Sequence, residues 1–139
     1  VELVRNRSLV VFGVFPNGPD SASGVGVRVI WRHLETGRVV KYVTFTVIPY
    51  NAVGDTVTDR LSGQAARKLR ATGPFDARPP LSAEYDEESS WDAQWYNSTI
   101  SCIHLARVDV EYMDGTSKSY TGNLGDALSA EFQNECVAR

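Results

Sequence analysis

Apolar and polar residues alternate with a period of two over several stretches of this 139-residue chain. Between residues 24 and 32 the odd positions are apolar, and the even positions include two arginines. Successive side chains of a strand point to opposite faces, so this period predicts a β-strand with one face in the core. The residues of the predicted core face are Val25, Val27, Val29 and Trp31.

Further strands are predicted from the same pattern and from the turn-forming residues that end each stretch. β-branched and aromatic residues at positions 8–15 predict one strand. A second strand is predicted over 39–50, and because it carries bulky residues on both faces we expect it to lie in the centre of a sheet. A strand over 99–112 alternates throughout, with its even-numbered residues on one face and acidic residues in the second half of the other. Shorter strands are predicted at 56–61, 66–71, 81–85 and 117–121, with a short helix over 64–69 as an alternative to the second of these.

Turn signals connect these strands. Asp114-Gly115 predicts a tight hairpin of type I′, because both central positions of that turn need positive φ. Residues 35–38 predict another short turn, and the proline-rich stretch 72–80 predicts irregular or extended chain.

The end of the chain has a different period. Leu128, Phe132 and Cys136 recur every four residues, and Asp126 is a candidate N-cap, so we expect a helix over about 125–138. Seven to eight strands followed by one helix predict a mainly all-β fold, an antiparallel Ig-like β-sandwich that forms a single domain over residues 1–139.

Composition narrows the function classes. The chain is 42% hydrophobic and 22% charged, with a formal net charge of −3, which offers no field to attract nucleic acid. No apolar run approaches the roughly 20 residues of a membrane-spanning helix, so no membrane span is expected. Because the chain begins at Val1, we expect either a processed mature chain or an excised domain.

Cysteine and histidine are too few and too widely spaced for a zinc site. Cys102 and Cys136 either form a disulfide or are small buried residues, and His33 and His104 do not complete a metal set. A disulfide would close a loop of 136 − 102 = 34 residues. By chain entropy it would contribute about 4 kcal/mol to stability.

Four segments carry a resemblance to a known family. Residues 41–55 (KYVTFTVIPYNAVGD), 72–74 (TGP), 95–100 (WYNSTI) and 110–115 (VEYMDG) resemble a family of bacterial β-sandwich modules from secreted, lipoprotein-like or cell-envelope proteins. FxLYD-type extracellular modules are its nearest named relatives, and the match spans about residues 10–120. The resemblance implies the sandwich fold and an extracytoplasmic setting, and it implies no catalytic residues or cofactor.

One position departs from the family pattern. Such modules often carry a cysteine shortly after the Tyr-Asn-Ala-Val-Gly-Asp element, where this chain has Asp59. A partner for Cys102 inside the sandwich is therefore missing, and Cys136 is the candidate that remains.

Aromatic and polar residues cluster near an expected irregular segment. Flat rings beside amide and carboxylate groups are typical of carbohydrate-binding surfaces. The alternative is that Trp95 and Tyr96 fill one end of the sandwich. The candidate ligand-binding residues are Trp91, Asp92, Trp95, Tyr96 and Asn97.

Three further motifs have two interpretations each. Asn97-Ser98-Thr99 fits an N-glycosylation acceptor, or a turn in which Asn and Ser bond to the backbone. The acidic residues 86–88 with Asp92 suit a hard cation, or a solvated loop. Cys102 and His104 share a face of the predicted strand. They could act as a nucleophile and its base, or they could be core residues.

We therefore expect a non-enzymatic extracytoplasmic module that acts through protein contacts as a structural, adhesive or accessory subunit. A carbohydrate-binding module is the alternative. Homo-oligomers are a further expectation, since residues 9–15 suit either an ordinary first strand or a donor strand for a neighbouring subunit.

Overall fold

A computed structural model describes residues 9–33, 39–75, 87–121 and 128–134. Within these ranges the chain forms β-strands and no helix, so the predicted all-β class is confirmed. The strands are β1 (Leu9–Asn17), β2 (Gly24–His33), β3 (Val40–Tyr50), β4 (Arg67–Phe75), β5 (Glu87–Tyr96), β6 (Cys102–Tyr112), β7 (Ser117–Thr121) and β8 (Leu128–Asn134).

The strands divide into two four-stranded sheets, in the orders β5-β2-β1-β8 and β4-β3-β6-β7. Each pairing is antiparallel except that of β8, which lies parallel to β1. The pairs β1–β2, β3–β4 and β6–β7 are consecutive in sequence, and the chain changes sheet after β2, β4, β5 and β7. Residues 9–15 thus belong to β1, which pairs with β2 and β8 of its own chain.

The core lies between the two sheets. All four odd positions predicted for β2 are at most 1% exposed, which confirms that face. β3 lies between β4 and β6, as its bulky faces predicted. Trp31 of β2 joins the sheets, because its ring lies edge-on to Phe45 at 6.0 Å and to Phe75 at 4.7 Å between centroids.

Side chains close the side of the sandwich where β4 and β5 face each other. Trp95 Nε1 donates to the carbonyl of Ala65 at 2.6 Å, and Trp91 Nε1 donates to that of Arg70 at 3.3 Å. In the opposite direction, Arg67 Nε donates to the carbonyl of Gln94 at 3.0 Å. These bonds satisfy polar backbone groups that an open sheet edge would leave unpaired.

The prediction of a C-terminal helix is wrong over Leu128–Asn134, which form β8. A spacing of four residues fits a helix, but it is also twice the two-residue period of a strand, so the pattern does not separate the two. Beside the edge of β1, this segment obtains backbone hydrogen bonds from the neighbouring strand. Residues 125–127 and 135–138 lie outside the described residues.

The predicted faces of β6 are correct only in its second half. Cys102, Val108, Val110 and Tyr112 are buried as expected, but Ile103 and Leu105 are buried as well, whereas His104 and Ala106 are only partly buried. The register with β3 shifts between Thr46, which pairs with Arg107, and Val47, which pairs with Leu105. Ala106 is therefore the extra residue in β6. One extra residue in a β-bulge moves the following side chains to the other face.

Other boundaries differ from the sequence predictions. Of the strand expected at 56–61, only an isolated bridge between Thr56 and Tyr50 forms, and residues 51–66 are otherwise a loop. The segment around Trp91 lies within strand β5, which bulges between Trp91 and Trp95, where Ala93 has a positive φ of 49°. The predictions for residues 35–38, 76–80 and 81–85 lie outside the described residues.

The predicted hairpin between β6 and β7 is confirmed, but its turn is of a different type. Gly115 has φ +89°, whereas Asp114 is not among the residues with positive φ. The N–H of Gly115 donates to the carbonyl of Tyr112 at 3.0 Å, and the N–H of Tyr112 donates to that of Thr116 at 2.9 Å. A single left-handed glycine after the turn gives a longer loop than type I′.

In the part of the chain that the structure describes, no helix is both long and apolar enough to cross a membrane.

Candidate functional site

The loops 18–23, 51–66 and 97–101 lie at one end of the sandwich, where β1, β3 and β5 finish. Hydrogen bonds join the loop 51–66 to the last residue of β5 and to the loop 97–101. The N–H of Arg60 donates to the carbonyl of Tyr96 at 3.4 Å, and Asn97 Nδ2 donates to that of Thr58 at 3.0 Å. Binding residues of β-sandwiches often lie on such loops, held in place by a rigid scaffold.

Residues 51–66, which we call the twin-turn loop, contain two tight turns. In the first, Asn51 Oδ1 accepts the N–H groups of Val53 at 3.1 Å and Asp55 at 2.9 Å. The N–H of Asn51 donates to the carbonyl of Asp55 at 2.9 Å, and Gly54 takes a positive φ of 89°. An Asn that bonds backbone groups two and four residues ahead fixes the turn.

The second turn is built on Asp59. Its carboxylate accepts the N–H of Ser62 at 3.1 Å, the hydroxyl of Ser62 at 2.8 Å and the N–H of Leu61 at 3.4 Å. The backbone carbonyl of Asp59 accepts the N–H of Gly63 at 2.8 Å. The backbone N–H of Asp59 donates to the carbonyl of Gln64 at 2.9 Å. Both turns are therefore held by a carbonyl-bearing side chain at their first position.

Asp59 also ties this turn to the sheets. It accepts the N–H of Tyr96 at 2.8 Å and lies 3.1 Å from Arg67 Nη2. The Tyr96 N–H and then the Ser62 hydroxyl are the main causes that lower the pKa of Asp59 to about 2. A carboxylate that accepts several hydrogen bonds is stabilised in its charged form, so Asp59 is ionised at neutral pH.

Each turn presents one large apolar side chain to solvent. Val53 is 80% exposed and Leu61 is 78% exposed, whereas Val57 between the turns is buried in the core. A single exposed apolar residue on a surface is ordinary. Here two of them project from turns of one loop that is anchored at Val57 and fixed by hydrogen bonds, so this loop is the candidate functional site.

The structure places the predicted carbohydrate-binding residues on β5 and directly after it. Trp95 is fully buried, and its indole N–H bonds to Ala65 inside the protein. Trp91 is partly buried and packs against the core, and Tyr96 is also partly buried. Asp92 is exposed. The five residues are thus near one another in sequence, but the ring of Trp95 has no face open to a ligand.

Asn97 forms a local turn. Its Oδ1 accepts the N–H of Thr99 at 3.1 Å and the hydroxyl of Thr99 at 2.7 Å. Together with the bond from its amide to Thr58, this is the arrangement expected of the turn interpretation, and glycosylation at this position stays a prediction.

The remaining candidate residues have separate positions. Cys102 is buried at the start of β6, and no free thiol occurs among the described residues. Cys136 lies outside the described residues, so the disulfide stays a prediction. The ring of His104 lies edge-on to that of Tyr50 at 6.1 Å. A metal-binding group of three or more His, Cys, Asp or Glu residues is absent from the part of the chain that the structure describes.

The sequence indicated the Tyr-Asn-Ala-Val-Gly-Asp turn and a break between two short strands at Ser62-Gly63, but it did not indicate that Asp59 holds the second turn. The signal was the pair Asp59 and Ser62, three residues apart, which is a spacing that allows the carboxylate to accept the N–H and hydroxyl of the serine. The exposure of Leu61 was not predictable, because residues 56–61 were expected to form a strand.

Comparisons with known proteins show the fold alone. No protein-family profile and no curated protein matches the chain. A solved structure, that of IrmA from Escherichia coli, is similar with a TM-score of 0.54 at 8% sequence identity. The similarity covers 90% of this chain and 94% of IrmA.

Proposed function

We propose that this chain is a non-enzymatic β-sandwich module that binds a partner protein through the twin-turn loop. The observation that supports the proposal is the exposure of Val53 and Leu61 on turns that Asn51 and Asp59 hold in a fixed shape. The module would act as a structural, adhesive or accessory subunit.

Rigidity is what makes the two side chains suitable for binding. A flexible loop loses conformational entropy when it binds, and a loop already fixed by hydrogen bonds loses less. An exposed apolar side chain contributes to binding when a pocket of the partner removes its surface from water. Val53 and Leu61 have this chemistry, and the ordered turns hold their backbone before contact.

The cellular setting and the finer fold class are part of the proposal. We take the sandwich to be Ig-like, because consecutive hairpins alternate with crossings between two sheets. The resemblance to bacterial secreted and cell-envelope modules supports an extracytoplasmic location. The carbohydrate alternative keeps Trp91, Asp92, Tyr96 and Asn97 as its residues, since Trp95 is buried.

The test compares the wild type with a Val53→Ser/Leu61→Ser variant as immobilised baits for extracellular and envelope proteins of the native source. We expect the wild type to retain a defined protein that the variant does not. With that protein purified, the variant should bind at least about tenfold more weakly. The free energy of unfolding should change by less than about 0.5 kcal/mol, since both side chains are exposed.

An Ala52→Ser/Thr58→Ser variant is the matched control, because both residues are exposed on the same loop and add no large apolar surface. It should bind as the wild type does. Equal retention by the wild type and the Val53→Ser/Leu61→Ser variant, or no retained protein at all, would contradict the proposal.

A further inference from the structure

β7 is an edge strand of the sheet β4-β3-β6-β7, and within the described residues no strand pairs with its outer edge. The strand is regular, because its five residues pair with residues 107–111 of β6 without a shift in register. The edge of a regular strand offers unpaired backbone groups to a strand of another chain. β7 is therefore a place where a second chain can extend this sheet.

Alternate residues of β7 direct their backbone groups away from β6. The N–H of Tyr112 donates to the carbonyl of Thr116 at 2.9 Å, so the backbone groups of these two residues face each other. Bonded and non-bonded pairs alternate along an antiparallel ladder, which makes Lys118 and Tyr120 the residues of β7 that bond to β6. The residues that present their N–H and C=O groups to the free edge are Ser117, Ser119 and Thr121.

The opposite side of the sandwich is closed to such pairing. There the side chains of Trp91, Trp95 and Arg67 bond to backbone carbonyls across the gap between β4 and β5. β5 is also bulged, because its register with β2 shifts between Val25 and Val27. Covered edges and bulges both hinder the addition of a strand.

β7 carries a charge on its core-facing side. Lys118 lies opposite Val110, which is 1% exposed, and directly opposed residues of two paired strands point to the same face. The side chain of Lys118 is nevertheless exposed, because β7 lies at the edge. It is the one charged residue of this strand, whose sequence is Ser-Lys-Ser-Tyr-Thr. An inward-pointing charge on an edge strand is a feature that prevents edge-to-edge pairing.

The charge of Lys118 is not neutralised within the described residues. Its ammonium lies 5.7 Å from the centre of the Tyr120 ring, and no carboxylate of the described chain is within salt-bridge distance. A neutral strand placed along this edge would remove water from an uncompensated charge, which is unfavourable.

We infer that Lys118 prevents β7 from pairing with β7 of a second copy of this chain. Antiparallel pairing about the central residue, Ser119, joins all five residues of each strand and brings Lys118 opposite Tyr120 of the second copy. This register takes the ammonium out of water. The neighbouring register that uses the same edge groups brings the two Lys118 side chains opposite each other, where like charges are destabilising.

Lys118→Val removes both obstacles. It leaves β7 without a charge, a glycine or a proline, which is the composition of strands that associate with one another. In the register about Ser119 it also places a β-branched residue opposite Tyr120 of the second copy, which is a favourable cross-strand pair. The inference concerns a different surface from the twin-turn loop and does not rest on the proposed function.

Sedimentation equilibrium over a chain concentration of about 10 μM to about 1 mM tests the inference. We expect the wild type to stay monomeric, and Lys118→Val to dimerise at concentrations at least about tenfold below any at which the wild type associates. Lys118→Glu retains a charge at this position and should stay monomeric. Lys68→Val is the matched control, because Lys68 is exposed on the edge strand β4, on the closed side of the sandwich, and this variant should also stay monomeric.

The route of association is tested in the Lys118→Val background. Adding Ser119→Pro removes an N–H that faces the free edge and no bond to β6, a position where proline is tolerated, so the double variant should be monomeric. Adding Ser119→Ala keeps that N–H, and it loses the same 2.6 Å hydrogen bond from the Ser119 hydroxyl to Asp109, so this double variant should still dimerise. Hydrogen exchange gives a second readout. The amides of Ser119 and Thr121 should be protected in dimeric Lys118→Val and exchange freely in the wild type.

Circular dichroism confirms that each variant is folded. Lys118→Val that stays monomeric at every concentration overturns the inference, and so does a wild type or a Lys118→Glu variant that associates as tightly. Equal association of Lys68→Val also overturns it, because the effect would then not be specific to β7. Association of Lys118→Val that leaves the amides of Ser119 and Thr121 exchanging freely, or that survives Ser119→Pro, excludes pairing through β7. None of these outcomes bears on partner binding through Val53 and Leu61.

Discussion

The carboxylate of Asp59 accepts the backbone N–H of Tyr96 at 2.8 Å, although 37 residues separate the two along the chain. This bond joins the second turn of the twin-turn loop to the end of β5, in the opposite sheet. The loop is therefore held from both sheets, and its shape depends on the charge of one side chain.

Asp59→Asn should destabilise the protein in a pH-dependent way. The pKa of Asp59 is about 2 in the folded protein and lies near the ordinary value of about 3.9 in the unfolded chain. Because the folded pKa is the lower one, the ionised carboxylate stabilises the fold above pH about 4, and this contribution is lost as the pH falls toward about 2. Urea unfolding at several pH values should show a wild-type advantage at pH 6 that shrinks on acidification.

Asp92→Asn is the control for this experiment, because it removes an exposed carboxylate on neighbouring β5 without touching the loop. It should leave the unfolding free energy nearly unchanged at pH 6. A difference between wild type and Asp59→Asn that stayed constant from pH 6 to pH 2 would refute the role given to the charge.

Trp95→Ala should destabilise the protein by about 3–5 kcal/mol, since truncating a fully buried indole leaves a cavity. Trp95→Phe should cost less, because the ring is largely retained while the carbonyl of Ala65 loses its 2.6 Å hydrogen bond. Chemical unfolding monitored by circular dichroism measures both. Losses below about 1 kcal/mol for Trp95→Ala would show that the indole is not part of the core.

Because Trp95 is buried, a test of carbohydrate binding should use variants of other residues. Loss of binding in Trp95→Ala would be confounded by unfolding, so Tyr96→Ala and Asp92→Ala are better variants, because their side chains reach the surface. We expect a glycan array to remain silent with the wild type. Binding that disappears in both folded variants would instead favour the carbohydrate alternative.

Gly26→Ala should be strongly destabilising. A Cβ at this position would lie 2.1 Å from the carbonyl oxygen of Trp91 and 2.9 Å from the Cα of Asp92, so the backbones of β2 and β5 would have to separate. We expect a loss of about 3 kcal/mol or more, at the upper end of overpacking costs.

Gly63→Ala provides the comparison. No atom lies within 4 Å of the added Cβ, but the φ of +74° is unfavourable for alanine. Its cost should be about 1–2 kcal/mol, from the backbone alone. Thermal unfolding of both variants distinguishes a steric from a conformational effect, and equal losses would contradict the close approach at Gly26.

The Cys102–Cys136 disulfide is tested by intact mass and alkylation. We expect the native, non-reduced protein to incorporate no alkylating reagent and the reduced, unfolded protein to incorporate two equivalents. Cys102→Ser/Cys136→Ser should lower stability by up to about 4 kcal/mol. Two alkylatable thiols in the native, non-reduced protein would exclude the bond.

The fold class was predictable because strands with one buried face impose a period of two on the sequence. The faces of β2 and the central position of β3 followed directly from that period. The bulge in β6 was not predictable, because an extra residue leaves the alternation of residue types intact while it changes which face they occupy. β8 was missed because a spacing of four residues fits two structures.

The candidate site was predictable only in part. The first turn was visible in the sequence, since Asn and Gly-Asp are strong turn formers. The role of Asp59 required knowledge of residues distant in sequence, because Tyr96 and Arg67 reach it only in the folded chain. The sequence left Trp95 open as a binding-surface residue or as a residue that fills one end of the sandwich, for the same reason: its indole N–H finds a partner in the loop before β4, which sequence spacing does not reveal.

The parallel pairing of β1 with β8 affects the timing of folding. Val11 pairs with Leu128, so an early strand completes its hydrogen bonds only with a segment made more than a hundred residues later. Contacts of such long range form slowly, and a chain still being synthesised would leave one side of β1 open until the end. One edge of β1 therefore stays unpaired until residues 128–134 are in place, and until then that edge is open to pairing with other strands.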